Sequence, residues 1–195
     1  MPLDLVERAR LFATAAHAAI DQRRKYSGAP YIEHPEAVAR LVAEHQADEE
    51  MVAAAWLHDV VEDTAVSLEL VRDEFGENVA GLVDALSDMQ TPDEGNRAVR
   101  KQRAAQRLSR ADPRAQTIKY ADLIHNTSSI VRHDRGFARI YLEEKRHLLE
   151  IMDQGDPRLR QRAFRVLQMA DGELSNRGRH ACGEGGDNPV GSRQD

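Results

Sequence analysis

Apolar residues recur at helical spacing along nearly the whole chain, and no sustained strand-type alternation interrupts them, which predicts an all-α fold, a single compact multi-helix bundle. From Leu5 to about Arg23 the apolar or Ala positions 5, 6, 9, 12, 13, 16, 19 and 20 form one stripe of a first helix. Gly28 and Pro30 break the periodicity over Tyr26 to Glu33, so a loop is expected there before Pro35 opens a second helix running to about Gln46. Asp48 is placed to cap a third helix whose run Met51 to Val61 is nearly all apolar, the pattern of a buried helix. Ser67 and Gly76 bracket a short helix, and Glu77 to Asp88 continues helically. Thr91 to Gly95 reads as a polar loop of the kind that forms lids. Arg97 to Arg110 is a basic helix with Arg97, Arg100, Lys101, Arg103 and Arg107 largely on solvated faces. Asp112-Pro113 then opens a long helix through Ile130, and two amphipathic helices follow at about Arg139 to Met152 and Pro157 to Leu174.

Periodicity ends at Ser175, and the Gly-rich polar stretch beyond it predicts one folded domain over residues 1–174 followed by a disordered tail over 175–195. With 33 Asp+Glu against 27 Lys+Arg, the formal charge of -6 argues against broad nucleic-acid binding through phosphate contacts. The first residues lack a secretory pattern and no apolar stretch is long enough to cross a bilayer, so a cytoplasmic protein with no membrane partner is expected. A single cysteine, Cys182, removes disulfide frameworks and thiolate-rich zinc sites. The 8 histidines and the carboxylates are what remains for a metal.

The sharpest conflict in the pattern is His58, Asp59, Glu62 and Asp63 following a buried apolar run. On a continuous helix His58 would lie over Glu62 and Asp59 over Asp63, placing four ionisable groups within two turns. Burying three carboxylates beside one histidine is severely destabilising unless a cation compensates, and a divalent metal does so most simply. The competing arrangement is a helix end with Asp59 and Asp63 facing water. Asp122, flanked by apolar residues, is a second acid inside a core helix. Read alone it fits a metal ligand with Asn126 as a neutral partner one turn on, and equally a core acid satisfied by Lys119 or a histidine. His125 is expected on another face. His34 ends a Pro-Tyr-Ile loop that would position an imidazole or cap a helix, and Arg23-Arg24-Lys25 upstream reads as a phosphate clamp or as a solvated basic helix end.

Tyr31-Ile32-Glu33-His34-Pro35, Leu57-His58-Asp59-Val60-Val61-Glu62-Asp63-Thr64 and Lys119-Tyr120-Ala121-Asp122-Leu123-Ile124-His125-Asn126 resemble the HD superfamily of metal-dependent phosphohydrolases. More narrowly, they are similar to the hydrolase domain of the RelA/SpoT proteins and to the stand-alone small alarmone hydrolases, over roughly residues 8 to 170. That resemblance implies Mn²⁺ held by His34, His58, Asp59 and Asp122, with Glu62 and Asp63 as catalytic carboxylates. It further implies that Arg24, Lys25, Tyr31 and Asn126 meet the substrate. The implied reaction is hydrolysis of the 3′-pyrophosphate of (p)ppGpp or (p)ppApp, releasing pyrophosphate from a small-molecule nucleotide; a homo-oligomer is left open. The alternatives are a generic HD phosphatase acting on a mononucleotide or NADPH, and a non-catalytic nucleotide sensor. Two departures touch substrate recognition: Leu123 stands where the family commonly has a basic residue, and Thr127-Ser128-Ser129 lacks a second family cation.

Overall fold

The computed structural model describes residues 3–87 and 96–180, and every regular element among them is helical. In chain order the helices are α1 (Leu5–Ala19), α2 (Glu33–Ala43), α3 (Glu49–Leu57), α4 (Val60–Asp63), α5 (Leu68–Phe75), α6 (Glu77–Leu86), α7 (Arg97–Ser109), α8 (Pro113–His133), α9 (Arg135–Ile151) and α10 (Pro157–His180). The expected capping residues act as caps: Asp48 accepts from the Met51 amide at 2.7 Å, Ser67 from Leu70 at 3.2 Å and Asp112 from Arg114 at 2.8 Å, with Pro113 at the first turn of α8. Gly76 joins α5 to α6 at φ +87°, a conformation that costs glycine nothing.

Helices α3 and α8 form the centre. Helix α3 packs against α1, α2, α6 and α8, and α8 packs against α2, α6, α9 and α10. Met51 and Ala53 through Leu57 of α3 are buried, with Ala53, Ala54 and Ala55 fully enclosed, as the apolar run requires. Tyr120 on α8 is also enclosed, and its hydroxyl donates to the Met152 carbonyl at 2.7 Å.

Several boundaries differ from expectation for local reasons. Helix α1 stops at Ala19, because residues 20–32 fold back on themselves: Arg24 N bonds Ala29 O at 2.8 Å, Tyr31 N bonds Gln22 O at 3.0 Å, and Gly28 turns the chain at φ +69°. Helix α8 runs to His133 and α9 begins at Arg135, where Asp134 caps by accepting from Phe137 N at 3.1 Å. Helix α10 continues to His180, six residues into the stretch expected to be a tail, while 181–195 and the expected lid at Thr91 to Gly95 lie outside the described residues.

The largest local difference is at the acidic quartet. Helix α3 ends at Leu57, Asp59 takes φ -103° and ψ -4°, and a separate turn, α4, carries Glu62 and Asp63. The His58 imidazole Nδ1 sits 2.7 Å from the Ala55 carbonyl, the acceptor a continuing helix would give to the Asp59 amide. The break replaces the two expected columns of side chains with a sharper arrangement.

Candidate active site

Three separate elements deliver the metal-type side chains. The α2 start brings His34, the α3–α4 break brings His58 and Asp59, and the middle of α8 brings Asp122. His34 Nε2 lies 3.3 Å from His58 Nε2, 3.4 Å from Asp59 Oδ2 and 3.3 Å from Asp122 Oδ1, and His58 Nε2 is 3.1 Å from Asp59 Oδ2. All four expected ligands therefore converge, and His34, His58 and Asp59 form a group able to hold a metal ion. Both histidines and Asp122 are buried.

The surroundings orient these ligands. With its Nδ1–H given to Ala55, His58 turns Nε2 inward. His34 Nδ1 is 2.8 Å from His125 Nδ1, so His34 too can present Nε2 to the centre. Burial, followed by the charges of His34 and Arg24, pushes His125 down to about 4, which leaves it neutral and able to accept a hydrogen bond from His34 Nδ1–H. His125 is thus part of the site, against the expectation that it projects elsewhere. It lies three residues after Asp122, and positions three apart on a helix are neighbours, so the spacing already carried the signal.

Charge in the cluster favours a cation. Burial raises the cost of ionising Asp59, yet His58 and His34 hold its carboxyl well below the usual range. Asp122 is likewise depressed against its burial, chiefly by the Lys119 ammonium, 2.6 Å from Oδ2, with His34 next. Burial opposes charging His58, but Asp59 and then Asp122 outweigh it and push the imidazole up to about 9. Two ionised carboxylates therefore draw positive charge onto a buried imidazole, which is the electrostatic demand that a divalent cation meets. The thiolate-free His/Asp donor set suits a borderline or hard divalent ion.

Asp59, Asp122, Glu62 and Asp63 line one cavity of about 200 Å³, together with Tyr31, Asn126, Lys101, Lys119, Tyr141 and Lys145. Tyr31 Oη donates to Asp59 Oδ2 at 2.6 Å, and burial and the Asp59 charge keep that phenol protonated. Asn126 Nδ2 donates to Asp122 Oδ1 at 2.6 Å, and Arg24 donates to Asn126 Oδ1 at 3.0 Å. Arg23 instead turns to Asp21 on the exposed side, at 2.9 Å. Lys25 is exposed with its ammonium 5.0 Å from the Tyr26 ring centroid, so the structure does not bring it to the cavity. Asp63 accepts from Gln22 Nε2 at 2.9 Å, and Gln22 Oε1 lies 2.6 Å from Nδ1 of the buried His17. Lys101, expected on a solvated face, and Lys145 reach the cavity from α7 and α9. Their sequence neighbourhoods hold no signal of this; only the packing of α7 and α9 beside α8 brings them there. Leu123, where the family's basic residue was missing, is buried and lines the same cavity.

A model of the HD domain family matches residues 9–146. A probable guanosine-3′,5′-bis(diphosphate) 3′-pyrophosphohydrolase of Synechocystis is 39% identical over 132 residues, 66% of this chain and 17% of the relative. A probable GTP pyrophosphokinase of Mycobacterium leprae is 43% identical over 128 residues, 64% of this chain and 16% of the relative. The bifunctional (p)ppGpp synthase/hydrolase SpoT of Escherichia coli is 35% identical over 136 residues, 67% of this chain and 19% of that protein. The chain thus spans less than a fifth of the length of these curated relatives. Among solved structures, a metazoan ortholog of SpoT that hydrolyses ppGpp superimposes with a TM-score of 0.76 at 25% identity, covering 87% of this chain and 97% of the other. Among the described residues no helix is long and apolar enough to cross a membrane. The family match takes in the His34, His58-Asp59 and Asp122 segments and well over half of the sequence, and the chain belongs to the HD domain family.

Proposed function

We propose that this chain hydrolyses the 3′-pyrophosphate of a ppGpp-type nucleotide, releasing pyrophosphate and the nucleoside 5′-di- or triphosphate. The observation that carries this is the cavity in which Glu62 and Asp63 sit beside Asp59 and Asp122, with cations and Asn126 around the rest of its wall. The names and activities of the similar proteins above agree with it.

In this reading His34, His58, Asp59 and Asp122 hold Mn²⁺. Bound there, the ion would polarise phosphoryl oxygens and make water a stronger nucleophile. Glu62 and Asp63 move the proton. One carboxylate accepts it as the water oxygen bonds to phosphorus, and a proton returns to the ribose 3′ oxygen as the P–O bond breaks. The amide that Gln22 donates to Asp63 fixes the rotamer of that carboxylate. Arg24 and Asn126 form a hydrogen-bonded edge that orients the nucleotide, and Tyr31 holds Asp59 while closing one side of the cavity. A complete set of ligands and acids argues against a non-catalytic sensor.

Purified protein with Mn²⁺ is expected to release pyrophosphate from ppGpp or ppApp in a panel that also holds NADPH and deoxynucleoside monophosphates. Release from neither alarmone, with a monophosphate or NADPH dephosphorylated, would overturn the assignment. Arg24→Ala is expected to raise KM about 10- to 100-fold with kcat little changed, the cost of one charged hydrogen bond at a half-buried position. Arg23→Ala should leave both constants as they are, and equal effects of the two substitutions would contradict the placement of Arg24.

A further inference from the structure

Lys145 on α9 stands apart from the other basic residues of the site. Among the described residues no carboxylate lies within ion-pair distance of its ammonium, which rests 5.3 Å from the centroid of the buried Tyr141 ring. It is partly buried, and it lines two cavities at once. One is the catalytic cavity. The other, about 80 Å³, has an apolar floor that includes Ala105, Leu108 and Leu148. Leu86, Lys101, Lys119 and Lys145 line both, so three lysines from α7, α8 and α9 meet where the two cavities join. Lys119 is matched by Asp122. Lys145 is held near two like charges without such a match, an arrangement that gains from any anion brought between them.

We propose that Lys145, in the field of Lys119 and Lys101, is an anion subsite that binds a diphosphate group of the nucleotide at the junction of the two cavities. The inference rests on the function proposed above, which supplies a ligand with a diphosphate at each end. The state of the free lysine agrees with the geometry. Burial, and next the neighbouring Lys119, push the ammonium down to about 8, a penalty that a bound phosphate relieves. The subsite also places a cation in the cavity from α9, where Leu123 of α8 lines the same cavity without a charge.

Calorimetric titration of inorganic pyrophosphate and, separately, of GDP into the Mn²⁺-loaded full chain tests this. Binding of at least one ligand is expected to weaken about tenfold or more in Lys145→Met and in Lys145→Gln, and to recover in Lys145→Arg, with circular dichroism establishing that each variant is folded. A change for pyrophosphate alone assigns the subsite to the leaving group, and a change for GDP alone assigns it to the 5′-diphosphate. Unchanged affinity for both, or no binding of either to the unsubstituted protein, overturns the proposal. Because binding is read without turnover, failure to hydrolyse ppGpp would remove the proposed function while a Lys145-dependent affinity still stood.

Discussion

Asp59→Ala is expected to strip the protein of bound metal and to abolish turnover, whereas Asp63→Ala keeps the metal and loses about 10²- to 10⁴-fold in kcat, the usual worth of a positioned proton-transfer group. The two side chains are four residues apart and line the same cavity, yet their partners differ. Asp59 Oδ2 is within 3.4 Å of both imidazole Nε2 atoms and accepts from Tyr31, so its removal eliminates an anionic donor at the point of convergence. Asp63 bonds Gln22 and touches neither histidine among the contacts of the site. Metal content after dialysis, read beside kcat, separates the roles. Equal metal loss in both variants would make Asp63 a ligand. Retention of metal by Asp59→Ala would mean that His34, His58 and Asp122 suffice.

Gly155→Val is expected to destabilise the fold by about 3 kcal/mol, the upper part of the usual range for forcing carbon into a filled core, which is a fall of about 6–12 °C in Tm for a domain of this size. A Cβ at Gly155 would lie 2.6 Å from Tyr120 Cε2 and 2.9 Å from both the Thr117 amide and its hydroxyl. None of these neighbours is a flexible surface tip. Tyr120 is enclosed and tied to Met152, and the Thr117 hydroxyl already accepts from the Asp156 amide at 2.8 Å while Gln116 Oε1 accepts from Gln154 N at 2.9 Å. The turn between α9 and α10 is thus seated on α8 at Gln116, Thr117 and Tyr120, next to the stretch that carries Lys119 and Asp122. A thermal melt unchanged by the substitution would show that α8 can slide here.

Much of this was legible in one dimension. Asp48, Ser67 and Asp112-Pro113 announce helix starts because capping is local chemistry, satisfied by atoms within three residues. His58, Asp59 and Asp122 are conspicuous because a charge amid an apolar run needs a compensating partner, whatever the fold. The break after Leu57 was hidden, since it arises when an imidazole takes a backbone acceptor from its own helix. The Lys119–Asp122 pair and the approach of His34 to the same carboxylate are both contacts that an isolated core acid was expected to find, and the His34 contact is also the one that brings Asp122 to the other three side chains. Lys145 and Gln22 were invisible for a different reason. Each is an ordinary polar residue whose meaning comes only from the helix packed opposite.

The convergence of His34, His58, Asp59 and Asp122 also bears on what holds the bundle together. The four side chains come from the start of α2, the α3–α4 break and the middle of α8, segments far apart in sequence, and the unfolded chain has no such preformed cage. An ion seated there brackets three helices at once and adds RT ln(1 + [M]/Kd) to folding, about 2.7 kcal/mol when free metal exceeds Kd a hundredfold. With such an ion bound, the folding free energy would be a function of metal activity, and the supply of that ion would bear on the persistence of the fold as well as on the site.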